Sequence, residues 1–122
     1  MADPLPSTVV VDDEPTEEDR RAVAALLGRE PGGAFRIVVR HVDDGSPVVI
    51  RNHPLLEDGR PMPTRYWLCD PALRSAIGTL ESEGGVREAE AAVDPERLAA
   101  AHGAHAAERD AALPPGHTGP VP

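Results

Sequence analysis

Most of the chemistry available to this chain rests on four arginines, Arg36, Arg40, Arg51 and Arg65, and on the proline-stiffened segment that lies among them. Arg36 and Arg40 sit four apart in an alternating stretch, so they should share one strand face, with Arg51 and Arg65 on or near neighbouring strands. Guanidiniums that converge in this way hold a phosphate or carboxylate through forked, charge-assisted hydrogen bonds. The plainer alternative is an arginine-studded solvent face opposite surplus acids, where each exposed pair contributes only about 0 to 1 kcal/mol.

The segment from Asn52 to Tyr66 is the next candidate, because irregular chain between strands often carries function on a rigid scaffold. Its chemically useful members are Asp58, Thr64, Arg65 and Tyr66. The structural alternative has the greater weight: Asp58-Gly59 makes a turn, Pro54, Pro61 and Pro63 fix the path, and Thr64 and Tyr66 tie the loop to a sheet. Further on, His102 and His105 are spaced i, i+3 with Glu108 beyond them, close enough on a helix to share a ligand. A metal would need more ligands from His41, His53 or Cys69, and two imidazoles on an alanine-rich helix need no ion to explain them, so no metal and no cofactor is expected. Cys69 precedes a helix start that would lower its pKa, but Asp70 opposes that effect, and a buried, inert thiol is expected. Glycine-rich phosphate loops, serine-centred nucleophile elbows and HExxH are all missing, so the reading leans away from an enzyme.

The elements that must position these groups follow from local signals. Thr16 is an N-cap, Asp19 a capping-box acid, Glu17 and Glu18 suit the helix dipole, and Gly28 is a stop, which predicts a helix with Val23, Leu26 and Leu27 as its buried stripe. Phe35, Ile37 and Val39 alternate with Arg36, Val38 and Arg40, Asp44-Gly45 is a tight turn, and Val48 to Ile50 resume the pattern, so residues 35–52 read as a hairpin. Residues 65–69 make a third short strand. Asp70-Pro71 opens a helix with Leu73, Ile77 and Leu80 on one face and Gly84-Gly85 at its end. A short helical piece covers Val86 to Val93, and Asp94-Pro95 opens a last helix with a thin, alanine-rich apolar face that runs towards Leu113.

Composition sets the outer bounds. Arg supplies all twelve basic residues against twenty-one acids, a net charge of -9, which repels nucleic-acid phosphates and anionic membranes unless charge is segregated locally. One cysteine excludes an internal disulfide and fits a reducing compartment, so a cytoplasmic location is expected. Met1 to Val11 lacks the basic flank of a signal peptide, and no stretch is apolar for long enough to cross a bilayer.

Pro54-Leu55-Leu56-Glu57-Asp58-Gly59-Arg60-Pro61-Met62-Pro63-Thr64-Arg65-Tyr66-Trp67-Leu68 resembles the domain-of-unknown-function family 501, small bacterial proteins with a DGxPxPT signature followed by an aromatic strand. The Gly28-Arg29 break, Pro47-Val48-Val49, Leu80-Glu81 and the Ala101-His102 and Arg109-Asp110 pairs also look like that family's pattern. The resemblance implies no activity. Many members carry cysteines in the first hairpin and after the aromatic strand, whereas this hairpin offers His41, Asp43 and Asp44 and only Cys69 remains. Members usually continue past the Pro-Gly tail into a segment with a Lys-Cys-Leu-His motif, so the resemblance implies a truncated product, less stable than a full-length relative.

The resulting expectation is an α+β protein: an N-terminal helix, a three-stranded mainly antiparallel sheet, and two or three C-terminal helices packed on one sheet face. Residues 1–15 would be a flexible lead-in, 16–113 a single domain and 114–122 a proline- and glycine-rich tail. Ligand or partner binding would fall to Arg40, Arg51, Asp58, Thr64, Arg65, Tyr66, His102 and Arg109. The expected function is a non-enzymatic interaction or regulatory module that holds a protein partner by its sheet edge or loop, without nucleic acid or membrane. The alternative is a small enzyme or binding protein for an anionic small molecule, using an Arg/His/Asp cluster near residues 52–66.

Overall fold

Helix starts lie where the capping residues place them. In the computed structural model, which describes residues 7–122, α1 spans Glu17–Leu27. Thr16 Oγ1 accepts from the Asp19 N–H at 3.1 Å, and the Thr16 N–H donates to Asp19 Oδ2 at 3.0 Å, the reciprocal pair of a capping box. Gly28 ends the helix at φ 75°, a left-handed conformation that a side chain would resist. β2 (Phe35–His41) and β3 (Pro47–Asn52) form the expected antiparallel hairpin, and β4 (Tyr66–Leu68) pairs with β3 through Val49–Leu68, Ile50–Trp67 and Arg51–Tyr66.

The sheet has four strands among the described residues, not three: β1 (Thr8–Asp13) pairs antiparallel with β2 and gives the order β1-β2-β3-β4. Residues 8–13 are therefore an edge strand, contrary to the expected lead-in; residues 1–6, with Pro4 and Pro6, lie outside the described region. The physical reason is tertiary. Val9 and Val10 pair with Arg40 and Val39, and Asp12 and Asp13 meet arginines of β2 and β3, so β-branched backbone and charge complementarity hold what looks locally like an acidic linker.

The core lies between α1 and the sheet. Val23, Phe35, Ile37, Ile50 and Cys69 are buried together, with Val11, Leu26, Leu27 and Trp67 partly buried against them. Burial of each large aliphatic or aromatic side chain stabilises the fold by about 1.5 to 3 kcal/mol. Arg29 lies over the Trp67 ring at 5.1 Å and so fastens the end of α1 to β4. The β2–β3 ladder slips between Ile37 and Arg40, so Val38 is buried beside Ile37 while Val39 is only half-buried, and the strict alternation expected there is lost.

α2 (Pro71–Ser82), α3 (Gly85–Ala92) and α4 (Pro95–Ala111) begin at the expected signals. Asp70 accepts from the Leu73 N–H at 2.9 Å, and its other oxygen meets His41 Nε2 at 2.6 Å, joining α2 to the sheet. Gly84 (φ 88°) and Gly85, where a Cβ would come within 2.6 Å of the Leu80 carbonyl, make the tight corner between α2 and α3. These helices do not cover a sheet face as expected: none has a buried residue, and Ile77 and Leu80 of the anticipated stripe are 44% and 59% exposed. Capping and backbone hydrogen bonds set helix formation locally, whereas burial depends on the face that α1 already occupies. No helix among the described residues is long and apolar enough to cross a membrane.

Candidate functional site

The hairpin register sets Arg36 directly opposite Arg51. Like charges facing each other across strands repel, so a counter-anion is required. Asp12 of β1 supplies it: Oδ1 accepts from Arg36 Nε at 2.6 Å and from Arg51 Nη2 at 3.1 Å. Those bonds, the one from Arg36 foremost, hold the Asp12 carboxyl below the usual range. Glu14 adds a longer contact of 3.6 Å to Arg36.

The third arginine arrives with the loop. Residues 53–64 close on themselves: Leu56 and Arg60 are hydrogen-bonded at 2.8 Å, and Met62 bonds back to Pro54 at 2.8 Å. The His53 N–H reaches the Ala34 carbonyl at 2.9 Å, and Asn52 Nδ2 donates to the Thr64 carbonyl at 2.9 Å, so both ends of the loop are pinned beside β2 and β3. Arg65 emerges from this path buried, with 8% of its surface exposed. Its Nη1 donates to the Asn52 carbonyl, and Nε and Nη2 donate to Glu108 Oε1 of α4 at 3.3 and 2.8 Å. The Tyr66 hydroxyl donates to Glu108 Oε2 at 3.2 Å, and its ring lies 6.1 Å from that of His105. Arg65 first, then Tyr66 and a weaker pull from Arg51, lower the Glu108 pKa.

Arg36, Arg51 and Arg65 line one half-open cavity of about 760 Å³, together with Arg20 of α1 and His53. Glu14 and Glu57 are the acids in its wall. Among the described residues, Arg51 spends only Nη2, on Asp12, so Nε and Nη1 keep donors for an incoming anion. His53 Nδ1 is held by the backbone of Leu55 at 3.2 to 3.3 Å.

Of the eight residues read from the sequence as a site, Arg51 and Arg65 line this cavity, and Tyr66 is tied to Arg65 by their shared hydrogen bonds to Glu108. Arg40 is elsewhere: Nη1 and Nη2 grip Asp19 at 2.9 Å each, Nε meets Asp13 at 2.8 Å, and Nη1 also reaches the Gly45 carbonyl. Arg36 and Arg40 therefore serve different carboxylates, because the ladder slips between them. Asp58 closes its turn on Arg60, through the backbone N–H at 3.0 Å and Nε at 2.6 Å. Thr64 contributes its carbonyl rather than its hydroxyl to the described hydrogen bonds. His102 is exposed, and Arg109 meets its neighbour Asp110 at 3.3 Å.

No group of three or more His, Cys, Asp or Glu side chains among the described residues has metal-binding geometry. Cys69 is fully buried, and burial pushes its thiol up to about 11. The site residues absent from the sequence reading are Arg20 and Asp12, while His53 entered it only as a candidate metal ligand. The signal for Asp12 was the Val-rich run before two aspartates, matched to arginines on another strand; Arg20 and His53 offered none beyond their charge or ring.

A family model described as Protein of unknown function (DUF501) matches residues 38–121, which include Arg51, His53, Arg65 and Glu108 but not Asp12, Arg20 or Arg36. No curated protein and no solved structure matches the chain.

Proposed function

Since the chain belongs to the DUF501 family, whose description assigns no activity, we propose a function from the cavity: a non-enzymatic binding module that takes a small anion between Arg51 and its neighbouring arginines. The observation that carries this reading is charge segregation. On a chain of net charge -9, four arginines and two glutamates line one recess. Asp12 and Glu108 already engage Arg36, Arg51 and Arg65, so what the recess offers an incoming anion is the unspent donors of Arg51, and its partly desolvated walls strengthen each contact they make. The forked donors of arginine suit phosphate or carboxylate oxygens.

Binding rather than turnover is supported by the groups at hand. His53 is the imidazole at the cavity, and its Nδ1 is engaged by the loop backbone. The one thiol is buried and protonated at neutral pH.

Thermal melts in low salt with inorganic phosphate and with citrate test the proposal. An anion at a hundredfold excess over its Kd stabilises the folded state by about 2.7 kcal/mol, so the midpoint should rise. Arg51→Gln should abolish that rise, and added salt should weaken it. Unchanged midpoints with both anions would refute it.

A second reading, a module that binds a protein partner through its C-terminal helices, is supported by the exposure of Ile77, Leu80, Val86 and Val93. Its test is sedimentation of the chain alone, and in mixtures with a candidate partner, before and after Ile77→Asp with Leu80→Asp; association unaffected by the pair of changes would count against it.

A further inference from the structure

One arginine of the cavity wall is already held by a carboxylate of this chain. Arg65 is buried in the wall, and all three of its nitrogens are engaged: Nη1 by the Asn52 carbonyl, Nε and Nη2 by Glu108. Each terminal nitrogen keeps one N–H, but the paired Nε/Nη2 fork, which gives the strongest hold on an oxyanion, opens to an anion only by displacing the Glu108 carboxylate. Glu108 belongs to α4 and reaches the cavity through its bonds to Arg65, while Ala112, which caps that helix, lines the cavity itself.

The attachment that would be broken is slight. α4 has no buried residue, and its described side-chain ties to the sheet are the Arg65 and Tyr66 bonds to Glu108 and the His105–Tyr66 ring contact. The Glu108 side chain is itself 43% exposed, so water and salt screen its side of the pair. A helix held by polar contacts at one point is released far more readily than one that seals a hydrophobic face.

We propose that α4 is a displaceable latch: a compact dianion, a phosphate monoester or a dicarboxylate, replaces Glu108 on Arg65 and frees α4 from the sheet. This rests on the anion-binding reading above and adds the class of ligand and its consequence. A dianion is favoured because the incoming group must outcompete a monoanionic carboxylate that is already tethered, and because Arg51 offers a second set of donors beside Arg65. Linkage makes the effect reciprocal: if the ligand loosens α4, loosening α4 tightens the ligand by the same factor. A signal in the cavity is thus converted into the exposure or mobility of a seventeen-residue helix.

The test combines calorimetric titration of inorganic phosphate at pH 8, where it is a dianion, with amide hydrogen exchange over residues 95–111. Wild type, Glu108→Gln and Arg51→Gln are compared, all at exposed or half-exposed positions whose replacement leaves the core intact. Glu108→Gln should bind phosphate about five- to tenfold more tightly, and phosphate should speed exchange of α4 in the wild type but not in that variant. Acetate, a monoanion, should do neither. Equal or weaker phosphate binding by Glu108→Gln, with wild-type binding lost in Arg51→Gln, would overturn the latch and leave the cavity reading standing. Phosphate binding that is absent from wild type and Glu108→Gln alike would overturn both.

Discussion

The ion pair between Arg40 and Asp19 gives the sharpest stability prediction. Two parallel N–H···O bonds of 2.9 Å join them, with side-chain exposures of 18% and 12%. The Arg40 hydrogen bonds, aided by Thr16, hold the Asp19 carboxyl at about 2 rather than 3.8. A depressed carboxylate stabilises the fold fully above its unfolded value and loses that contribution as pH falls through the folded value, so the relevant window runs from about pH 5 to below pH 2. At 1.36 kcal/mol per tenfold change, the contribution at neutral pH is about 2 kcal/mol. Asp19→Asn keeps a competent capping-box side chain but removes the charge, and Arg40 retains Asp13 and the Gly45 carbonyl. The cost should therefore be about 2 kcal/mol, below the 3 to 5 typical when a buried charge loses every partner. Urea unfolding followed by circular dichroism reads it directly, and the wild-type advantage should narrow steadily as pH falls towards 2. A double-mutant cycle with Arg40→Gln should return a coupling above about 1 kcal/mol. A loss of less than about 0.5 kcal/mol at neutral pH, or a gap that does not narrow in acid, would refute the reasoning.

Three other outcomes are expected. Cys69, with its thiol pushed to about 11 and no exposed surface, should resist iodoacetamide in the native state and react promptly in urea; fast native alkylation with intact circular dichroism would contradict the assigned burial. Asp70→Ala removes both the cap on Leu73 and the partner of His41, so it should cost about 2 to 3 kcal/mol and raise exchange at the first turn of α2, with unchanged exchange there counting against the capping role. Ile50→Ala opens a cavity at the centre of the core and should cost about 2 to 5 kcal/mol in the same urea assay, whereas a loss comparable to a surface change would mean the core is misplaced.

Part of this molecule can be read from neighbouring residues alone. Thr16 with Asp19, Asp70 with Pro71 and Asp94 with Pro95 start three helices, and the Val and Ile runs around Asp44-Gly45 give the hairpin, because capping and tight-turn hydrogen bonds are made within about four residues. Arg51 and Arg65 stood out as candidate anion ligands by their type and by their place beside the loop. Tertiary structure decided the rest. β1 is a strand because Asp12 and Asp13 meet arginines between 24 and 39 positions away, a relation that no local pattern of prolines and acids encodes. The slip at Val38 sends Arg36 to the cavity and Arg40 to Asp19, although spacing alone puts them on one face. Amphipathic periodicity in α2 marks a face able to be buried, yet burial requires an opposing surface, and α1 occupies the sheet face where the core forms. Local hydrogen bonding can thus be inferred from sequence because its partners are close along the chain, while the convergence of Arg20, Arg36, Arg51, Arg65 and Glu108 depends on strand register and packing between distant segments.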